Sequence, residues 1–259
     1  MKGFNSCCCL LLAISWGIFV TNISAFEWPF LKACIPGDEL CLRKSVVSFF
    51  KTYPNGIPEL NIPPLEPLNL GKINVKSQGS ANFNLNMYMN DVKFHNYTNI
   101  ECLSVKGITN PDDVSKPARL ILVVRNPQLT IRTHCQLKGK LLIFTVEGEA
   151  DLEVHMANTT TTIDVALEPY IKDNRTYLKA TSFSAKQKTP NMKIFFKNST
   201  LLNGDPVFAD VFTDTINENW TLMRDEIQPY FEKAHEKVAL NMVNMILPTI
   251  PTDQFFKDK

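Results

Sequence analysis

The chain predicts an α+β fold in which a long carboxy-terminal helix lies in a strongly curved, meandering antiparallel sheet. Two observations carry this. From Asp205 to Leu247 apolar residues recur every three or four positions, through Phe208, Phe212, Ile216, Trp220, Met223, Ile227, Phe231, Ala234, Val238, Met242 and Met245, which is one stripe of a helix. Upstream, Ala81 to Asn90 and Leu142 to Met156 alternate apolar and polar residues with period two, the pattern of strands with one wet face. The order is strands joined by short turns with helices at both ends, not βαβ repetition.

The amino-terminal residues 1–25 read as a secretory signal peptide. Lys2 precedes an apolar run from Cys7 to Val20, too short to span a bilayer, and Ile23-Ser24-Ala25 ends on a small residue. Residues 26–259 are then expected to form a single domain. Without Lys2, 26 of the 27 basic side chains remain against 26 acidic ones. A neutral chain without clusters of Lys and Arg gives no electrostatic case for nucleic acid or for an anionic membrane.

Cys7, Cys8 and Cys9 leave with the signal, so Cys34, Cys41, Cys102 and Cys135 remain. Four cysteines allow three pairings. Cys34 and Cys41 are close enough in sequence to close a short loop, which would leave Cys102 for Cys135; neither Cys-x-x-Cys nor Cys/His clustering suggests zinc. Sequons at Asn96, Asn158, Asn174 and Asn198 fit a glycosylated secreted protein. A fifth, at Asn219, falls inside the expected helix.

In chain order, Asp38 can cap a short helix through Lys51, with Leu40, Val47 and Phe50 or Phe49 as its apolar contacts. Pro54, Pro58, Pro63, Pro64 and Pro67 then keep the backbone extended. After the Ala81 strand, Leu120 to Val124 and Leu129 to Leu137 read as two strands separated by Asn126-Pro127. Lys138-Gly139-Lys140 reads as the turn into the long strand. That strand is far beyond the usual ~5 to 6 residues, so coiling is expected, with Gly148 relieving a crowded concave face. Ile163 to Leu167, Tyr177 to Ala185 and Met192 to Phe196 complete the sheet. Asp205 and Pro206 open the terminal helix, Pro248 and Pro251 stop it, and Pro229 is expected to bend it along a length of roughly 60 Å.

Half of each long strand must be covered, and the terminal helix is the element available to cover it. A concave face wider than one helix leaves space lined by Phe, Leu, Ile and Met, a site for an apolar ligand.

These residues resemble the insect takeout and haemolymph juvenile hormone binding protein family over essentially the whole mature chain. The resemblance rests on Cys34 and Cys41 bracketing Pro36-Gly37-Asp38-Glu39-Leu40, on Gly56-Ile57-Pro58-Glu59-Leu60, and on Pro63-Pro64-Leu65-Glu66-Pro67-Leu68, where the family pattern has Asp at position 66. It continues through Leu137-Lys138-Gly139-Lys140, Glu147-Gly148-Glu149-Ala150, Thr176-Tyr177-Leu178, Leu201-Leu202-Asn203-Gly204, Asn217-Glu218-Asn219-Trp220 and Pro251-Thr252-Asp253-Gln254-Phe255-Phe256. It implies a tubular lipid-binding (TULIP-like) fold around an apolar tunnel, secretion into haemolymph, a Cys34–Cys41 disulfide, and carriage of terpenoid, fatty acyl or similar ligands. Some members are tied to circadian output, feeding and chemosensory behaviour. The Cys102–Cys135 bridge is inferred from parity alone.

Catalytic and metal signatures fail. His235-Glu236 begins like a zinc-protease helix, but position 239 is Ala where the second His must stand. There is no Gly-x-Ser-x-Gly elbow and no phosphate loop. His155, on the wet face of the long strand, and His235 read as solvated. Glu147, Glu149, Asp151 and Glu153 read as unneutralised surface acids serving solubility. The expected protein is therefore a monomeric carrier without cofactor, metal or catalysis. Its expected tunnel is lined by Phe83, Leu85, Met87, Phe144, Leu152 and Val154 of the sheet and by Phe212, Ile216, Met223, Ile227 and Phe231 of the helix, with Met suiting an adaptable wall. The alternative is a secreted signalling protein that docks to a receptor or another haemolymph protein with little or no ligand.

Overall fold

A computed structural model describes residue 28 and residues 33–76, 82–108 and 113–257. The expected signal peptide, and Ala81 of the first alternating strand, lie outside these residues. Helix α1 (Glu39–Thr52) is capped by Asp38, whose carboxylate accepts from the Cys41 N–H at 3.0 Å. Seven strands follow: β1 (Leu68–Val75), β2 (Phe83–His95), β3 (Glu101–Gly107), β4 (Ala118–Leu141), β5 (Phe144–Lys172), β6 (Arg175–Lys188) and β7 (Asn191–Lys197). The chain closes with α2 (Pro206–Glu218), α3 (Trp220–Ile246) and the short α4 (Thr252–Phe255).

The sheet is organised by one long hairpin. Strands β4 and β5 are 24 and 29 residues long and pair antiparallel from Leu141↔Phe144 to Ala118↔Leu167. Each is long enough to carry two further partners end to end. β4 pairs with β2 at one end and β3 at the other, while β5 pairs with β7 and then β6, and β1 flanks β2. The hairpin turns at Leu142-Ile143, two residues beyond the expected Lys138-Gly139-Lys140 turn, with Leu142 at φ 52°. Gly139 lies inside the ladder opposite Leu85 at φ 141°, where a Cβ would sit 2.2 Å from the Asn84 carbonyl oxygen. Gly139→Ala is accordingly expected to destabilise the fold by about 2 kcal/mol in urea unfolding. At Gly148, expected to relieve a crowded concave face, the neighbour a Cβ would meet is Thr200 at 2.9 Å, an exposed residue of the segment leading to α2.

Neither of the long strands keeps one face throughout. On β5 the buried positions are Val146, Ala150, Leu152, Val154 and Met156, then Thr159, Thr161, Ile163, Val165 and Leu167, so the parity changes at Asn158, which has φ 50°. On β4 it changes between Asn126 and Leu129. The ladder stays in register across the change, Asn126 opposite Thr159 and Gln128 opposite Ala157. A one-residue slip exchanges the two faces of a strand. Asn126-Pro127 is therefore a point of face reversal within one strand rather than a break between two, and the segment from Ile163 continues β5 rather than starting a new strand.

The reversal divides the interior. One hydrophobic cluster lies among β1, β2, the Leu129–Leu141 end of β4, the Phe144–Met156 end of β5, β7, α2 and α3; a second lies among β3, the other ends of β4 and β5, β6, α1 and the last turns of α3. The terminal rod is interrupted at Asn219, between α2 and α3, whereas α3 runs through Pro229. The Asn219 side chain donates to the Thr215 carbonyl oxygen and so closes the end of α2. Asp205 caps that helix as expected, accepting from the N–H groups of Val207 and Phe208. The apolar stripe is buried at Phe212, Ile216, Met223, Phe231 and Met242, but its ends Phe208 and Met245 are exposed. In α1 Leu42, Val46, Val47, Phe49 and Phe50 pack inward, as expected of Val47 and the two Phe, and Leu40 is 59% exposed rather than packed.

The Cys34–Cys41 disulfide is present. Cys102 and Cys135 are free and buried, correcting the expected second bridge. Cys102 pairs with Val124 and Cys135 lies in β4 itself, so roughly 35 Å of strand separates the two sites, against the ~4.4–6.8 Å that a disulfide spans. The row of acids is not unneutralised either. Across the hairpin Lys138 meets Glu147 at 2.7 Å, Gln136 meets Glu149 at 2.8 Å, His134 meets Asp151 at 3.0 Å, and Glu153 accepts from Lys197, His155 and Arg132. Pairs of this kind are worth ~0.2–1 kcal/mol each. The Asp151 carboxylate beside His134 holds that ring above its ordinary pKa, and the hydrogen bonds to Lys197 and His155 hold Glu153 down at about 2.

Candidate functional site

A cavity of about 320 Å³ lies within the second cluster. Alternating positions of two strands face it, Leu120, Leu122 and Val124 of β4 and Ile163, Val165 and Leu167 of β5, and Leu178 and Phe183 of β6 join them from either side of a register shift. Helix α1 covers one side with Leu42, Val46, Phe49 and Phe50, and α3 supplies His235, Ala239, Met242, Val243 and Ile246. Phe255 and Phe256 close it beside Val105 and Ile108. The terminal segment is held there by the bridge from Cys34 to Phe256, with Cys34 N–H donating to the Phe255 carbonyl at 2.9 Å and Lys257 N–H to the Cys34 carbonyl at 3.0 Å.

The packing here differs from that at the other end of the molecule. In the first cluster Phe83, Leu85, Phe212 and Ile216 are each at most 1% exposed. Around the cavity no residue of α1 is fully buried, and Leu120 and Leu122 are likewise only half-buried although they face inward. Apolar side chains that keep free surface inside a fold border a void rather than a close-packed core.

Of the eleven residues expected to line the tunnel, none borders this cavity. Phe83, Leu85, Phe144, Phe212 and Ile216 belong to the packed first cluster, where Phe212 meets the rings of Phe144 and Phe196 at 5.3 and 5.2 Å. Met87, Leu152, Val154, Met223, Ile227 and Phe231 surround a smaller cavity of about 60 Å³. Gln187 borders both cavities. The residues that sequence reading missed had a signal in the Leu42/Val46/Phe49 spacing and in Ile163/Val165/Leu167. Their common facing depends on the reversal at Asn158. A third depression along α1, of about 380 Å³, is shallow and solvent-facing, and Arg43, Lys44 and Lys51 form part of its wall.

His235, expected at the surface, is 2% exposed and lines the larger cavity. Its Nε2 lies 2.8 Å from the Tyr97 hydroxyl, and burial pushes its pKa down to about 4, so the ring is neutral at pH 7. Burial raises the Tyr97 hydroxyl. Glu232, one turn earlier, is 5% exposed; burial alone would raise its pKa, but hydrogen bonds from the Gln187 N–H, Gln228 and Lys186 outweigh it and leave the carboxyl lowered. Among the described residues no cluster of His, Cys, Asp and Glu could hold a metal ion, and no helix is long and apolar enough to cross a membrane.

The profile of the haemolymph juvenile hormone binding protein family matches residues 7–257. The chain belongs to this family. Within it, the chain is 31% identical over 230 residues to the circadian clock-controlled protein daywake of Drosophila melanogaster, spanning 88% of this chain and 87% of that one. Daywake of Drosophila yakuba is 30% identical over the same spans. The crystal structure of Epiphyas postvittana Takeout 1 superposes with a TM-score of 0.75 at 16% identity, covering 88% of this chain and all of that one, which establishes the tubular fold. The family and the fold are those of binding proteins rather than enzymes.

Proposed function

We propose that the protein is a secreted carrier that holds a hydrophobic small molecule, such as a terpenoid or fatty acyl compound, in the cavity between α1 and the last turns of α3, without chemistry. The observation that carries this reading is the 320 Å³ cavity with its partly accessible apolar walls. Apolar wall left unpacked costs stability, and a ligand that fills the space recovers part of that free energy, less the cost of its own immobilisation. Native mass spectrometry of protein purified from an insect secretory line tests the reading. A co-purifying apolar molecule removed by organic extraction is expected, and its absence together with no uptake of diphenylhexatriene would count against the carrier.

Secretion belongs to the same proposal. Asn96, Asn158, Asn174 and Asn198 are all exposed, each with φ between 48° and 59°, at turns and at the face reversal. Asn174 follows Asp173 in the two-residue β5–β6 turn. Expression through the secretory pathway is expected to yield glycans on these sites, read as a mass decrease on peptide-N-glycosidase treatment that is lost stepwise on Asn→Gln substitution.

The docking alternative has one observation in its favour. Val207, Phe208 and Val211 on α2 are 69%, 58% and 49% exposed. If the protein acts by docking alone, Phe208→Asp abolishes its physiological effect while extraction of the purified protein yields no ligand.

A further inference from the structure

His235 is the buried polar group that the carrier reading leaves without a role. Its ring stands among Phe94, Tyr97 and Phe183, with centroids 6.1, 5.6 and 6.2 Å away, and Nδ1 is buried with no hydrogen-bond partner. Ser45, Asn126, Thr161 and Gln187 also border the cavity, and two of these are engaged elsewhere. Asn126 donates to the carbonyl oxygens of Asn96, Tyr97 and Asn99, and the Ser45 hydroxyl donates to that of Cys41.

The tautomer follows from counting partners. If Nε2 carried the proton and donated to Tyr97, the Tyr97 hydroxyl proton and the Nδ1 lone pair would both lack a partner. If the Tyr97 hydroxyl donates to Nε2, only the Nδ1–H is left over. The second arrangement wastes one group instead of two, and buried polar groups are costly to leave unmade. Tyr97 is itself fixed, because the Glu66 carboxylate accepts from the N–H groups of Asn96 and Thr98 on either side of it while Asn126 holds the carbonyls. The loop thus sets the hydroxyl and the hydroxyl sets the imidazole, leaving the buried Nδ1–H of a wall residue as the ring group without a partner.

We propose that His235, positioned by Tyr97, is a polar anchor of the cavity whose Nδ1–H donates to an acceptor oxygen of the bound molecule, selecting ketones, esters or ethers over pure hydrocarbons. This rests on the carrier reading and narrows its ligand class. Apolar walls discriminate length and shape weakly, whereas a buried donor rejects a ligand that cannot pair with it. A carboxylic acid is a poorer match, since no described cationic side chain lines the cavity to offset its charge.

The test uses full-length mature protein and displacement of diphenylhexatriene, a hydrocarbon without polar atoms, by methyl laurate and by tetradecane, which have equal chain length. The ratio of ester to hydrocarbon affinity is expected to fall ~10-fold in His235→Phe relative to the wild type, the size of one net hydrogen bond. An unchanged ratio would overturn the anchor while leaving the carrier reading intact. Failure of the wild type to take up diphenylhexatriene would overturn the carrier reading and the anchor with it. Because His235→Phe is a core substitution, a second measurement needs only the wild type. The ¹⁵N shifts of His235 at pH 7 are expected to show a protonated Nδ1 and a bare Nε2, with the Nδ1 proton moving downfield on adding methyl laurate. A proton on Nε2, or no response to the ester, would overturn the proposal.

Discussion

Ala239→Trp is expected to weaken uptake of an apolar fluorophore by ~100-fold or more, near 2.7 kcal/mol, with little change in the stability of the ligand-free protein. Ala239 is 8% exposed on α3 and borders the cavity, so an indole there occupies the ligand's volume rather than forcing apart a packed core. Leu141→Ala supplies the contrast. Leu141 is fully buried in the first cluster, remote from the cavity wall, and its truncation is expected to cost ~3 kcal/mol of stability while the fluorophore still binds. Equilibrium urea unfolding and fluorophore titration on the same two variants separate the roles. Equal loss of binding in both would mean that the void is not the site.

Acid is expected to remove on the order of 3 kcal/mol of stability between pH 6.5 and pH 4 through His235 alone. Burial holds the folded ring down at about 4, against an ordinary value of 6.5, and the opposing pull of Glu236 and Glu232 is the smaller effect. Between those values the unfolded chain binds a proton that the folded chain does not, so stability rises with pH across the window. The contribution is complete above pH 6.5 and is lost as pH falls through about 4. Glu153 adds to the loss at lower pH, because its folded carboxyl is held down at about 2 and its stabilisation disappears below its ordinary value of 4.5. Urea midpoints between pH 7 and pH 4 measure the sum. In His235→Phe the slope across that window is expected to flatten, and an unchanged slope would assign the acid sensitivity elsewhere.

Much of the architecture is readable from local pattern because the pattern is local physics. The Asp205-Pro206 start of the rod, the Asp38 cap of α1 and the alternation in β2 and β5 each follow from a few neighbouring residues. Strands β1 and β3 escape such reading since the β1–β2 register shifts around Gly71 and the β3–β4 register shifts between Cys102 and Ser104, which breaks their alternation. The position of the cavity escapes for a different reason. Its walls share a face only after Asn158 and Asn126-Pro127 exchange the sides of the two long strands, an event marked on β5 by the φ of one residue, Asn158, rather than by composition. His235 escapes because a lone histidine on an amphipathic helix says nothing of the loop that meets it; Tyr97 lies 138 positions away.

The parity change also explains how one rod serves both ends. The helices α2 and α3 meet a packed interior along Phe212 and Ile216 and the larger cavity along Ala239, Met242 and Val243. The first part supplies stability, and the second can be left open for a ligand.

The most direct test is a crystal structure of the protein soaked with 1-bromododecane, read at the bromine absorption edge. An anomalous peak is expected inside the ring formed by Phe50, Leu122, Val165 and Met242. Bromine found only around Met223 and Phe231, or no ordered bromine with the larger cavity collapsed, would contradict it.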